Sequence, residues 1–171
     1  PDPDPDPDPV VETGFPSHPR ILLLKGEEEI LKDNLDADPM WKAVHNLIIN
    51  ECNVILTKPP VERVLIGRRL LDKSRTALQR IFYLSYAYRM TLAKTYLDRA
   101  VKEMNAIADF SDWNPSHFLD VAEMTMAVSL GYDWLFDRLP PGTRITLRKA
   151  IVEKGKSLLP GGAIRVKGEF G

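Results

Sequence analysis

The sequence has a single cysteine, Cys52, which excludes an internal disulfide framework and any multi-cysteine zinc or iron–sulfur site. No apolar run approaches the roughly 20 residues needed to span a bilayer. Neither charge is in excess: 23 basic side chains face 24 acidic ones, a formal net charge of −1. That balance speaks against a general nucleic-acid binder, which needs a basic surplus to displace counterions, although a basic groove on one face remains compatible with it. The first residues hold neither a basic n-region nor an apolar h-region, so they do not form a signal peptide. Mature exported proteins have lost that segment too. Because the chain begins at Pro1 rather than Met, processing or truncation is expected.

What is present is ordinary for a globular chain: 44% hydrophobic and 27% charged residues over a length of 171, which suits one domain. Residues 1–9 read PDPDPDPDP. Proline fixes φ, removes donors and pushes each preceding Asp out of the α region, and the aspartates repel one another. Residues 1–15 are therefore expected to form an extended, disordered Pro/Asp-rich leader.

From Pro19 onward the periodicity is helical. Ile21–Leu24 is a short apolar run that reads as a strand or an anchoring segment. Helices are predicted over 26–37, 39–56, 69–89, 94–109, 114–136 and 143–158. Asp38-Pro39 and Asn114-Pro115 each pair an N-cap type with a proline at the first helical position. In the second helix Trp41, Val44, Leu47, Ile48, Cys52 and Ile55 form one apolar stripe. In the third, Leu70, Ser74, Ala77, Leu78, Ile81, Phe82, Ser85 and Tyr88 do the same, and Ile145, Leu147, Ile151 and Val152 mark the last. Apolar residues surround the fifth helix, which predicts burial on most sides. The class is all-α, built from antiparallel helical hairpins over 16–159. No fixed period recurs, which excludes a regular helical repeat array. Residues 160–171 have no helical stripe and form an irregular, truncated-looking tail.

Acid–base chemistry draws first on histidine, and there are three. His18 and His45 read as structural or solvent-facing, His45 lying on the polar side of its helix. His117 stands in DWNPSHFLDVAEM with Trp113, Asn114, Asp120 and Glu123, and helical spacing brings Asp120 and then Glu123 within its reach. An aromatic, an amide, an imidazole and two carboxylates at the mouth of a buried helix suit contact with a polar ligand. Capping chemistry alone accounts for most of the same residue types: Asn114 as cap, Asp120 and Glu123 near the helix N-terminus, His117 on a backbone group. Tyr132, Asp133 and Trp134 form a second cluster, read as core packing rather than a sugar platform. There is no nucleophile elbow, P-loop or dinucleotide fingerprint, so no cofactor is expected. His117, Asp120 and Glu123 lack the HExxH spacing, so no metal is assigned.

The stretch RRLLDKSRTALQRIFYLSYAYRMT, followed by TYLDRAVKEMNAIADFSDWNPSHFLDVAEMTMAVSLGYDWLFDRLPPGTRITLRKAIVEKG, resembles the heparinase II/III-like polysaccharide lyases. The opening HPRILLLKGEEEILKDNLDADPMWKAV is similar to the start of the same family, so the resemblance covers roughly residues 16–155. It implies part of an incomplete (α/α) toroid, an exported or periplasmic location, and β-elimination on uronic-acid glycans such as heparin or heparan sulfate. Family members use histidine and tyrosine for that chemistry, in a region expected downstream of this one. No residue here receives a catalytic role, and substrate contacts are expected from Trp113, Asn114, His117, Asp120 and Glu123. Two departures stand out. Leu92-Ala93 replaces the usual Gly-Asp pair at a hairpin turn, and family-like sequence ends near Gly155. An incomplete ring leaves helix faces uncovered, which predicts self-association or poor ordering unless a partner fills the gap. The competing reading is a non-catalytic helical module that binds carbohydrate or protein.

Overall fold

A computed structural model describes Gly14 and residues 16–155. The leader, apart from Gly14, and the tail expected at 160–171 lie outside the described residues, as does the predicted helix beyond Gly155. The chain is all-helical: α1 Glu28–Ala37, α2 Pro39–Leu56, α3 Leu71–Thr91, α4 Lys94–Ala108, α5 Phe118–Leu135 and α6 Pro141–Ala150. A 3-10 turn at Phe136–Arg138 follows α5, and α6 runs into a π turn at Ile151–Gly155. Among the described residues the only β pairing is an isolated bridge between Ile66 and Arg69. Ile21–Leu24 is an anchoring segment rather than a strand: the Trp134 indole N–H donates to the Ile21 carbonyl at 2.7 Å.

Local chemistry explains most of the boundaries. Asp38 accepts from the Met40 and Trp41 amides at 2.8 and 3.2 Å, so it caps α2, with Pro39 in the first turn where a missing N–H costs nothing. α3 and α4 are joined by two residues and form an antiparallel hairpin. Leu92 turns that corner at φ 57°, the left-handed conformation that a glycine adopts more readily. The start of α5 differs from expectation. Asn114 does not cap it; the helix begins four residues later, with His117 in the N-cap position and no side-chain cap. Asn114 takes φ 60° and accepts from the His117 amide at 2.9 Å, so Pro115 sits inside a turn rather than a helix.

α3 is the centre of the molecule, packed along both α4 and α5, with α2 against its other side and α1 over α2. Ile81, Leu84, Met104, Ile107, Met124 and Leu135 are buried in the core between them. α5 is buried on most sides, as its composition predicts, although Met126 is exposed. The apolar stripes of α2, α3 and α6 are only partly covered: Val44 and Leu47, Phe82, and Ile145 and Val152 are exposed.

Gly131 sets how closely α5 approaches α3 and α4. A Cβ there would lie 2.5 Å from the Met104 sulfur and 2.6 Å from Ile81 Cγ2. Alanine is the better helix former by about 1 kcal/mol, but overpacking a filled core costs about 1–3 kcal/mol. Both neighbours are fully buried, so the clash dominates. G131A is expected to lower the urea midpoint, with a net loss of about 1–2 kcal/mol; an unchanged or higher midpoint would show that α5 can move away.

Candidate functional site

The cluster around His117 is organised by one buried carboxylate. Asp120, fully buried in the first turn of α5, accepts from the Leu70 amide at 2.7 Å, the Asn114 side-chain amide at 2.6 Å and His117 Nδ1 at 2.9 Å. Burial by itself would raise its pKa. The Asn114 amide, the Leu70 N–H and His117 outweigh that and hold it below the usual carboxylate range. With Asp120 ionised, Nδ1 is the protonated nitrogen of His117. Nε2 lies on a side chain 28% exposed and has no hydrogen-bond partner among the described residues.

The other predicted residues take different places. Glu123 accepts from the Ser74 hydroxyl at 2.6 Å and lies 3.4 Å from Arg75, tying α5 to α3. Asn114 is buried, and its amide also donates to the Arg68 carbonyl at 2.9 Å. Trp113 is a correction to the sequence reading. It is 0% exposed and its indole N–H donates to the Ile107 carbonyl at 3.1 Å, so it fills the core and offers nothing to a ligand.

Periodicity gave no sign of what these residues hold. Asn114 and Asp120 clamp the tight turn Ile66–Arg69, in which Gly67 takes φ 61° and Ile66 and Arg69 pair through their backbones at 2.9 and 3.2 Å. That turn carries two consecutive arginines, Arg68 and Arg69, both exposed and without an ionic partner among the described residues. The connection before α5 is fixed from its other end. Arg63 donates to Asp112 at 2.7 Å and thereby holds the Asp112 pKa down. The result is a rim in which a turn bearing two exposed arginines is tied through its backbone to the segment that carries His117. Such a rim suits a multiply anionic, hydroxyl-rich ligand.

Three further buried charges serve as anchors. Glu103 holds the 56–61 connection through Arg80, Arg99 and the Val61 amide. Arg89 donates to Glu28 and to the Leu23 and Leu24 carbonyls. Its guanidinium also lies 5.0 Å from the centroid of the Trp134 ring. Asp133 accepts from His18 at 2.5 Å and from the Arg20 and Ile21 amides. His18 stacks on Phe136 at 4.1 Å, so it is structural, as expected, and the cluster around Tyr132, Asp133 and Trp134 is core and anchor rather than platform. His45 is likewise structural, although not on a purely polar helix face: it is partly buried, 2.9 Å from the Tyr86 hydroxyl, and burial lowers its pKa. Burial pushes the Cys52 thiol up to about 12 and makes it unreactive.

Among the described residues no group of three His, Cys, Asp or Glu side chains is placed to hold a metal, and no helix is long and apolar enough to cross a membrane. No protein-family model matches the chain, and no curated protein matches it either.

Proposed function

We propose that this chain is a helical part of a polysaccharide lyase of the heparinase II/III type, acting in the periplasm or outside the cell, and that its His117 rim contacts an acidic, uronic-acid-containing glycan. The supporting observation is the pair Arg68 and Arg69 on a turn clamped by Asn114 and Asp120 beside His117. Together with the resemblance over residues 16–155, that basic rim favours an anionic glycan over a neutral one. The antiparallel α3–α4 hairpin and α5 then form one wall of a toroid. No residue is assigned a catalytic role. In β-elimination a base removes the proton beside the uronate carboxylate, the anion is stabilised, and an acid protonates the departing oxygen.

The test is retention on immobilised heparin, paired with an ultraviolet assay for unsaturated uronate. R68A/R69A is expected to weaken heparin binding by about tenfold or more, the size of two lost charge-assisted hydrogen bonds, with helicity unchanged by circular dichroism. Equal retention of the variant and the parent would remove the rim from the reading. Product formation by the chain itself would place catalytic groups within it and make His117 the first base to replace.

A further inference from the structure

We propose, resting on the anionic-glycan reading above, that the His117 rim takes up a proton together with its ligand. His117 then binds as the imidazolium, with Asp120 as its counter-ion and Nε2–H donating to a sulfate or carboxylate of the glycan. The basis is a division of labour on one carboxylate. Asp120 Oδ2 accepts from the Leu70 amide at 2.7 Å and the Asn114 side-chain amide at 2.6 Å, both uncharged donors. Oδ1 lies 2.9 Å from His117 Nδ1. Asp120 is fully buried, and among the described residues His117 is its only ion-pair partner. A buried carboxylate gains most from a hydrogen-bonded partner that carries charge. Imidazole is the side chain whose charge changes between about pH 5 and 8.

The geometry also fixes which atom takes the proton. Nδ1 is committed to Asp120, so a second proton can enter only at Nε2, which has no partner among the described residues. The same carboxylate ties His117 to the segment that carries Arg68 and Arg69. Surrounding charges set the coupling. Arg68 and Arg69 are exposed and oppose an added positive charge in the free chain. The other ionic groups of the adjoining elements are engaged: Glu123 with Ser74 and Arg75, Asp112 with Arg63, and Asp72 with Lys73. An anion bound at the arginines removes their opposition and leaves the attraction of Asp120, so ligand and proton favour each other. Linkage makes the effect reciprocal: the protonated rim holds the anion more tightly by the same factor.

The test is the affinity of the full 171-residue chain for a heparin octasaccharide at about pH 5.5 and about pH 8, at one ionic strength. The chain is expected to bind about tenfold more tightly at the lower pH, the size of a hydrogen bond gained to a charged group. The sulfates and carboxylates of the ligand keep their charge over that interval. H117N keeps a side-chain N–H for Asp120 but has no nitrogen to protonate, so the tenfold difference should vanish. His18 and His45 remain in that variant and serve as its internal control. Should H117N fail to fold, calorimetry on the parent at about pH 6.5 reads the uptake directly. The binding heat should then differ between two buffers of unlike ionisation enthalpy, by up to one proton per chain. A buffer-independent heat, equal affinity at both pH values, or a pH dependence that survives in H117N would each overturn the proposal and leave the anionic-glycan reading standing. Absence of binding at either pH would overturn both.

Discussion

Replacing Glu103 with alanine is expected to destabilise the chain by about 3–5 kcal/mol, the cost of removing one member of a buried ionic network. Glu103 is fully buried on α4 and accepts from Arg99 at 2.6 and 3.0 Å, from Arg80 at 2.9 Å and from the Val61 amide at 2.9 Å. Without it two guanidinium groups would face each other with no intervening anion. Both retain carbonyl partners at Pro59, and Arg99 also keeps Leu56, so their hydrogen bonding is not wholly lost. E103Q keeps an acceptor oxygen but turns an amide donor toward a cation, so an intermediate loss is expected. The exposed pair Lys94–Asp98 is the control. Its contact is as short, 2.6 Å, yet D98A should change stability by less than about 1 kcal/mol, because water screens the pair. Urea denaturation of the three variants separates burial from distance as the determinant. Equal losses for E103A and D98A would contradict the assignment, as would unchanged exchange of the Val61 amide in E103A.

The elements were legible because their causes are local. Apolar spacing marked all six helices, and Asp38-Pro39 located the start of α2 because the Asp38 side chain has no other task. Asn114-Pro115 has the same local signature and a different outcome. The Asn114 amide is drawn to the Arg68 carbonyl and to Asp120, contacts made across 46 and six residues of chain. Once it is held there, the helix waits until Phe118. Periodicity likewise cannot say which of two apolar faces on α2 meets the core, so Leu47 and Ile48 read as equivalent although only Ile48 packs inward. Of the candidate site, the meeting of His117 with Asp120 followed from spacing. The turn bearing Arg68 and Arg69 did not, because it joins the site through tertiary contacts alone. Buried Arg89, Glu103 and Asp133 left a fainter signal, as charged residues within otherwise apolar helix faces.

Asp120 joins stability to the site, and D120A is expected to damage both. Removing the carboxylate orphans the Leu70 amide and His117 Nδ1 and leaves the Asn114 amide with only the Arg68 carbonyl. A buried unsatisfied donor costs about 1–3 kcal/mol, and His117, being partly exposed, recovers some of that from water, so a loss of about 3–5 kcal/mol is expected. The clamp on the Ile66–Arg69 turn goes with it, and heparin retention should fall even where the variant is still folded. D120N separates charge from shape. Because the folded state holds the Asp120 pKa below its unfolded value, the carboxylate stabilises the fold above that unfolded value, and the contribution is lost as pH falls through the folded one. The unfolded value is about 3.9. Asp112, held down by Arg63, and Glu28, held down against its own burial by its own backbone amide and then by Arg89, act in the same direction, so the parent chain should lose stability in acid. The gap between parent and D120N should therefore be widest near neutrality and narrow below about pH 4, as the parent becomes protonated at the same atoms. A gap independent of pH would mean that Asp120 contributes its shape rather than its charge. The Leu70 and Asn114 donors would then hold the turn without an ionised partner.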